Sequence, residues 1–157
     1  MFSQNKPECL YTDSELRCRA VTVPLYATSS EAQVHYILQD AAIRFLFVGE
    51  QYQYDVASRV QNLCHTLKRI IVFDSSVKLA PGDTNSLYYE DFLALGDNME
   101  LQQQVDKLTA ESSPQDLANI LYTSGTTGES KGVMLHHSCY EAAFKAHHGR
   151  LTTLGEQ

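Results

Sequence analysis

Two short apolar runs, IRFLFVG (Ile43–Gly49) and RIIVFDS (Arg69–Ser75), limit the fold of this chain more than any other feature. A continuous apolar run of this length reads as a strand buried on both faces. Between the runs Tyr52, Val56, Val60, Leu63 and Leu67 fall on one helical face, with Asp55, Arg59 and Asn62 turned toward water. An antiparallel return needs only a tight turn, whereas a parallel return needs a crossover, so strands separated by a helix are expected to pair in parallel. The fold class is therefore α/β: a parallel-sheet core with helices packed on it.

The segment upstream repeats the theme. AVTVPLY (Ala20–Tyr26) is rich in β-branched residues and reads as a strand, with Pro24 marking an edge or an end. In TSSEAQVHYILQDAA, Val34, Ile37, Leu38 and Ala41 recur at helical intervals, and two pairs, Thr28 with Glu31 or Ser30 with Gln33, have capping-box spacing. From Val77 to Ser113 the pattern loosens into a loop (APGDTNS), a short helix (YYEDFLALG) stopped by Gly96, and a polar-faced helix (NMELQQQVDKL).

Two more strands follow, LANILYTS (Leu117–Ser124) with the apolar content of an interior strand, and KGVMLHH (Lys131–His137) as its neighbour. Ser138 and Glu141 have capping-box spacing, which predicts a last helix from Cys139 past His147. The link between the strands carries the chemistry. Ser124, Thr126, Thr127 and Ser130 offer hydroxyls; Gly125, Gly128 and Gly132 permit positive φ and close backbone approach; Lys131 brings a mobile positive charge. Successive amides in such a loop converge on an anion, so the segment is a candidate phosphate cradle. Its spacing is not that of the nucleotide P-loop, because two residues separate Gly125 from Gly128, Gly132 follows the lysine, and strands flank it on both sides.

Charge narrows the partners. Nineteen acidic residues against twelve basic ones give a formal charge of -7, and no Lys/Arg stripe is available to track a nucleic acid backbone. Nucleic acid is not expected as a partner. Cys9, Cys18, Cys64 and Cys139 show no C-x-x-C spacing, no apolar secretion signal stands near the start, and no run approaches a membrane span. Free thiols in a cytoplasmic setting are expected, with peripheral membrane contact still open. His136–His137 and His147–His148 lack metal-site spacing and read as surface or structural histidines.

The string YTSGTTGESKGVML, Tyr122 to Leu135, closely resembles the signature loop of the acyl-adenylate-forming superfamily, which comprises acyl-CoA synthetases, peptide-synthetase adenylation domains and luciferases. AVTVPLYATSSEAQVHYILQDAAIRFLFVGE resembles the upstream strand and helix of the same superfamily, and most of all that of the long-chain fatty-acid CoA ligases. The likeness spans Ala20 to about Leu151. Ser130 stands where the family commonly has proline, which adds an N–H and frees φ.

The resemblance implies a fragment, residues 1–157, of the large N-terminal AMP-binding domain, with the C-terminal domain absent. It implies a ligase that joins a fatty acid to the α-phosphate of ATP, releases pyrophosphate and passes the acyl group to CoA, with Mg²⁺ as cofactor. Thr123, Ser124, Gly125, Thr126, Thr127, Gly128 and Lys131 fall on its phosphate-binding positions, Lys131 as the catalytic cation and Thr123 near Mg²⁺. The adenine, ribose and acyl pockets lie beyond these residues in the family. The isolated fragment is therefore expected to be inactive, and surface left uncovered could make it self-associate. An amino-acid- or aryl-acid-activating relative, or a non-catalytic phosphate-binding module, stands as an alternative.

Overall fold

The computed structural model describes residues 18–96, 98–124 and 130–154. Helix α1 spans Glu31–Asp40, strand β1 Phe45–Val48, helix α2 Gln51–Val60, strand β2 Arg69–Val72, strand β3 Ser86–Tyr88 and helix α3 Tyr89–Ala94. Helix α4 (Met99–Ala110), strands β4 (Leu117–Ser124) and β5 (Ser130–His136) and helix α5 (His137–Leu154) complete the order. Strands β1, β2 and β3 form a parallel sheet in that order, with Phe45 opposite Arg69 and Ile70 opposite Ser86. The parallel α/β core expected from the apolar runs is present.

One face of this sheet is dry. Leu46, Val48, Ile70 and Val72 meet Val34, Ile37 and Leu38 of α1 and Val56, Ala57 and Val60 of α2 in a single buried cluster. Full burial of each such side chain stabilises by about 1.5–3 kcal/mol. On the other face the rings of Phe45, Phe47, Phe73, Tyr89 and Phe92 meet with centroids 5.2 to 6.4 Å apart, stacked only between Phe47 and Phe73 and otherwise tilted or edge to face.

Of the two capping boxes, Ser30–Gln33 forms: the Gln33 amide donates to Ser30 Oγ at 3.3 Å and the Ser30 amide to Gln33 Oε1 at 2.9 Å. Helix α1 ends with the Ala42 amide on the Gln39 carbonyl and the Ile43 amide on that of Leu38. This Schellman closure puts Ala42 at φ 50°. On α2 the expected face is partly wrong. Val56 and Val60 are buried, but Tyr52 and Leu63 are each 54% exposed, while Tyr54 and Gln53 go inward. The helix tightens to a 3₁₀ turn at Gln61–Leu63, so extrapolation at 100° per residue misplaces Leu63. Tyr54 is drawn in by its hydroxyl, which donates to Asp83 Oδ2 at 2.6 Å and accepts the Ala80 amide at 2.7 Å.

Asp83 organises the loop into β3. It accepts the Asn85 and Ser86 amides and the Ser86 hydroxyl, and Gly82 turns the chain at φ 80° just before it. Burial alone would raise the Asp83 carboxyl, and the hydrogen bonds from Ser86, Tyr54 and the two amides outweigh it, holding the group below the usual carboxylate range.

Ala20–Tyr26 is not a full strand. It makes one parallel bridge, Thr22 with Asn119, in which the Thr22 amide reaches the Ala118 carbonyl at 3.1 Å and the Ile120 amide reaches the Thr22 carbonyl at 3.0 Å. The next amide in that ladder would belong to residue 24, and Pro24 has none. The expected cap of the last helix is absent as well. Helix α5 starts at His137, with the His137 and Ser138 amides on the Asp116 and Pro114 carbonyls, and Glu141 pairs instead with Lys145 at 2.6 Å.

Candidate functional site

Strands β4 and β5 form an antiparallel hairpin whose link is the glycine- and hydroxyl-rich segment. Gly125, Thr126, Thr127 and Gly128, four of the expected phosphate-binding residues, lie outside the described residues. The other three sit at the hairpin tip, where Thr123 is opposite Lys131 and Ser124 opposite Ser130.

Side chains alternate along a strand, so this register separates the candidates. Thr123 and Lys131 share one face with Leu121 and Val133, whereas Ser124 and Ser130 share the other with Tyr122 and Gly132. Thr123 and Lys131 are exposed, and among the described residues no carboxylate lies within ion-pair distance of Lys131. An exposed ammonium beside a hydroxyl suits a phosphate oxygen. Ser124 points away from that pair.

Among the described residues this face offers no cage that could hold Mg²⁺ by itself. Thr123 offers one neutral oxygen, its neighbour across the ladder is a cation, and among the described residues no three His, Cys, Asp or Glu side chains gather where a metal could be held. Mg²⁺ commonly reaches proteins already coordinated by substrate phosphates, with few protein oxygens added.

The opposite face is anchored to the core. Ile120 and Tyr122 pack against the buried cluster. A Cβ on Gly132 would stand 2.8 Å from Ile120 Cγ2 and 3.2 Å from Tyr122 Cζ, so this glycine is required by a close approach and not by a turn. The Tyr122 hydroxyl donates to Asp40 Oδ2, and the Tyr36 hydroxyl to the Ser130 carbonyl at 3.1 Å. The two rings meet edge to face at 6.3 Å and 86°. Burial, reinforced by the Asp40 carboxylate, pushes the Tyr122 hydroxyl well above the ordinary phenol range, so it stays a donor.

Sequence reasoning missed Tyr36 and Asp40. Their one visible signal was their i, i+4 spacing on a helix whose apolar stripe runs through Val34, Ile37 and Leu38. It also overstated burial of the hairpin. In β4 only Ala118 is buried, and Val133 and Met134 of β5 are exposed. At the hairpin base Asn119 Nδ2 donates to the Tyr140 hydroxyl of α5, and Arg19 pairs with Asp116 at 2.8 Å. A cleft of about 330 Å³ between the α4–β4 link and the start of α5, lined by Ser112, Ser113, Pro114, His137 and Glu141, is built from residues outside the hairpin tip.

Residues 4–154 match the model of the AMP-binding enzyme family. A long-chain-fatty-acid–CoA ligase of Xenopus laevis is 32% identical over 115 residues, covering 73% of this chain and 15% of that protein. Fatty acyl-CoA synthetase A of Dictyostelium discoideum is 32% identical over 145 residues, 88% of this chain and 20% of its own length. The chain thus spans a fifth or less of these relatives. Among solved structures, a red-emitting luciferase from Phrixothrix hirtus superposes with a TM-score of 0.63 at 18% identity, over 85% of this chain and 25% of the luciferase.

Proposed function

This chain belongs to the AMP-binding enzyme family, and on that premise we propose that it carries the ATP phosphate-binding hairpin of a long-chain fatty-acid–CoA ligase. The 157 residues are then part of the N-terminal domain of a longer protein, a reading supported by the small share of each relative that they cover. The observation that carries the proposal is the pairing of Thr123 with Lys131 on one exposed face at the tip of a glycine-rich hairpin.

Little acid–base chemistry is needed for the first step. A fatty-acid carboxylate, with an ordinary pKa near 4, is ionised at neutral pH, and the difficulty is to bring it against a polyanion. Lys131 would neutralise phosphate oxygens and stabilise the charge that gathers on departing pyrophosphate, while Thr123 and the loop amides orient the chain of phosphates. Mg²⁺, arriving with ATP, would supply further neutralisation, and the Thr123 hydroxyl would be a protein oxygen offered to it. Transfer of the acyl group to CoA would draw on parts of the longer protein.

On the same reading the isolated chain, in a cytoplasmic setting, is inactive in acyl transfer and self-associates through Val133 and Met134, which stand 45% and 65% exposed on β5. The test is Lys131→Ala in the longer protein. Loss of one charge-assisted phosphate contact is expected to slow ATP–pyrophosphate exchange at least about tenfold. An unchanged exchange rate would remove Lys131 from the role.

A further inference from the structure

Among the described residues the Lys131 ammonium has no ion-pair partner to hold it. Its strand is largely exposed, with Lys131, Gly132, Val133 and Met134 all facing solvent to some degree, and a two-stranded ribbon in water is marginal without outside contacts. The residue immediately before it, Ser130, is where outside support arrives. The carbonyl of Ser130 accepts the hydroxyl of Tyr36, 94 positions earlier in the chain. One helical turn on from Tyr36, Asp40 accepts the hydroxyl of Tyr122, on the partner strand.

Both strands are thus held by the same helix, at the third residue before the link on one side and at the first residue after it on the other. The two contacts reinforce each other through the edge-to-face rings of Tyr36 and Tyr122. Gly132 leaves the space that the Tyr122 ring occupies, so ring and glycine are matched across the ladder. Because side chains alternate, the Tyr122 ring that α1 holds lies on the Ser124–Ser130 face and Lys131 projects from the other one, while Tyr36 holds the backbone itself at the Ser130 carbonyl.

We infer that Tyr36 and Asp40 of α1 are positioning residues, a clasp that fixes the backbone of Lys131 from behind and so aims its ammonium at a phosphate-bearing ligand. The aim at phosphate rests on the function proposed above; the clasp itself is a property of the fold. Nothing in it touches the ligand. Its effect on binding runs through the strand ends, which is what separates it from the Thr123–Lys131 face.

The test compares wild type with Tyr36→Phe, which keeps the ring and removes only the donor, with Asp40→Ala, and with Asp40→Asn, which keeps a carbonyl acceptor for Tyr122. Circular dichroism and the thermal midpoint report the fold. Amide hydrogen exchange at Ser130 and Lys131 reports the clasp, and a MgATP titration followed at the Lys131 signals reports the consequence. Tyr36→Phe and Asp40→Ala are expected to keep the spectrum, raise exchange at Ser130 and Lys131 about tenfold, and weaken MgATP about three- to tenfold. Asp40→Asn is expected to return toward wild type. Unchanged exchange in Tyr36→Phe and Asp40→Ala would overturn the clasp, as would unchanged MgATP affinity in both. If MgATP moves no Lys131 signal in the wild type, the phosphate reading fails, and the exchange data still decide whether α1 holds the strand.

Discussion

Gly132→Ala tests the packing behind the hairpin more sharply than any other single change. The added carbon would lie 2.8 Å from Ile120 Cγ2 and 3.2 Å from Tyr122 Cζ, well inside the roughly 3.5–4.0 Å at which carbons attract. Gly132 is not among the residues with positive φ, so the backbone accepts alanine, and the loss of glycine's unfolded-state freedom favours the variant by about 0.4–1 kcal/mol. Against this stands overpacking, about 1–3 kcal/mol, and displacement of the Tyr122 ring from Asp40. That second loss is softened because Asp40 is exposed and water replaces the hydroxyl.

The net expectation is a destabilisation of about 1–2 kcal/mol, or a midpoint lower by about 2–8 °C for a chain of this size. Urea unfolding followed by circular dichroism measures it, in the wild type and in an Ile120→Ala background where the tighter of the two contacts is gone. In that background the penalty should fall by about half, leaving a coupling near 1 kcal/mol. A Gly132→Ala variant as stable as wild type, or one equally penalised in both backgrounds, would refute the claim that this glycine exists for close packing.

Two further expectations concern the scaffold. Ala42 occupies the left-handed position closing α1 at φ 50°, a conformation that costs an ordinary residue about 1–2 kcal/mol, so Ala42→Gly is expected to gain about 0.5–1 kcal/mol after glycine's greater unfolded-state entropy is counted; a lower urea midpoint would contradict it. Asp83, whose folded-state carboxyl titrates below its ordinary range, contributes stability that is complete above about pH 4 and is lost as pH falls through the lowered value. Asp83→Asn should therefore be less stable at pH 7 and show a flatter stability profile below pH 4, and parallel profiles for the two proteins would contradict the assignment.

How much of this was legible beforehand depended on range along the chain. The parallel units showed through because the centres of the two runs, FLFV and IIVF, are apolar without a break, although only β2 is buried along Ile70–Val72 while Phe45 of β1 stays exposed. Strand β3 did not, since three residues, Ser86–Tyr88, run straight into α3 and are too few to display a period of two. The expected strand at Ala20–Tyr26 failed on one missing amide at Pro24, although its β-branched content was strand-like. At the site, the placement of Thr123, Ser124 and Lys131 at the ends of facing strands was readable from the loop string. The contribution of Tyr36 and Asp40 was not, because a hydrogen bond across 94 or 82 positions leaves no local trace.

That asymmetry has a physical reason that bears on function. Under the proposed function a phosphate-binding tip would leave one face open to the ligand and could not bury both faces for stability, and β5 is exposed along most of its length. Its rigidity has to come from elsewhere. Here it comes from α1 at the tip, from Tyr140 of α5 and the Thr22 bridge at the base, and from Ile120 and Tyr122 against the core. Register then does the sorting: a slip of one residue would carry Thr123 and Lys131 onto the anchored face and the tyrosine onto the open one. Since Gly132 leaves room for the Tyr122 ring opposite it and the Tyr122 hydroxyl has a carboxylate waiting at Asp40, the contacts that stabilise the hairpin are the same ones that decide which face offers the cation.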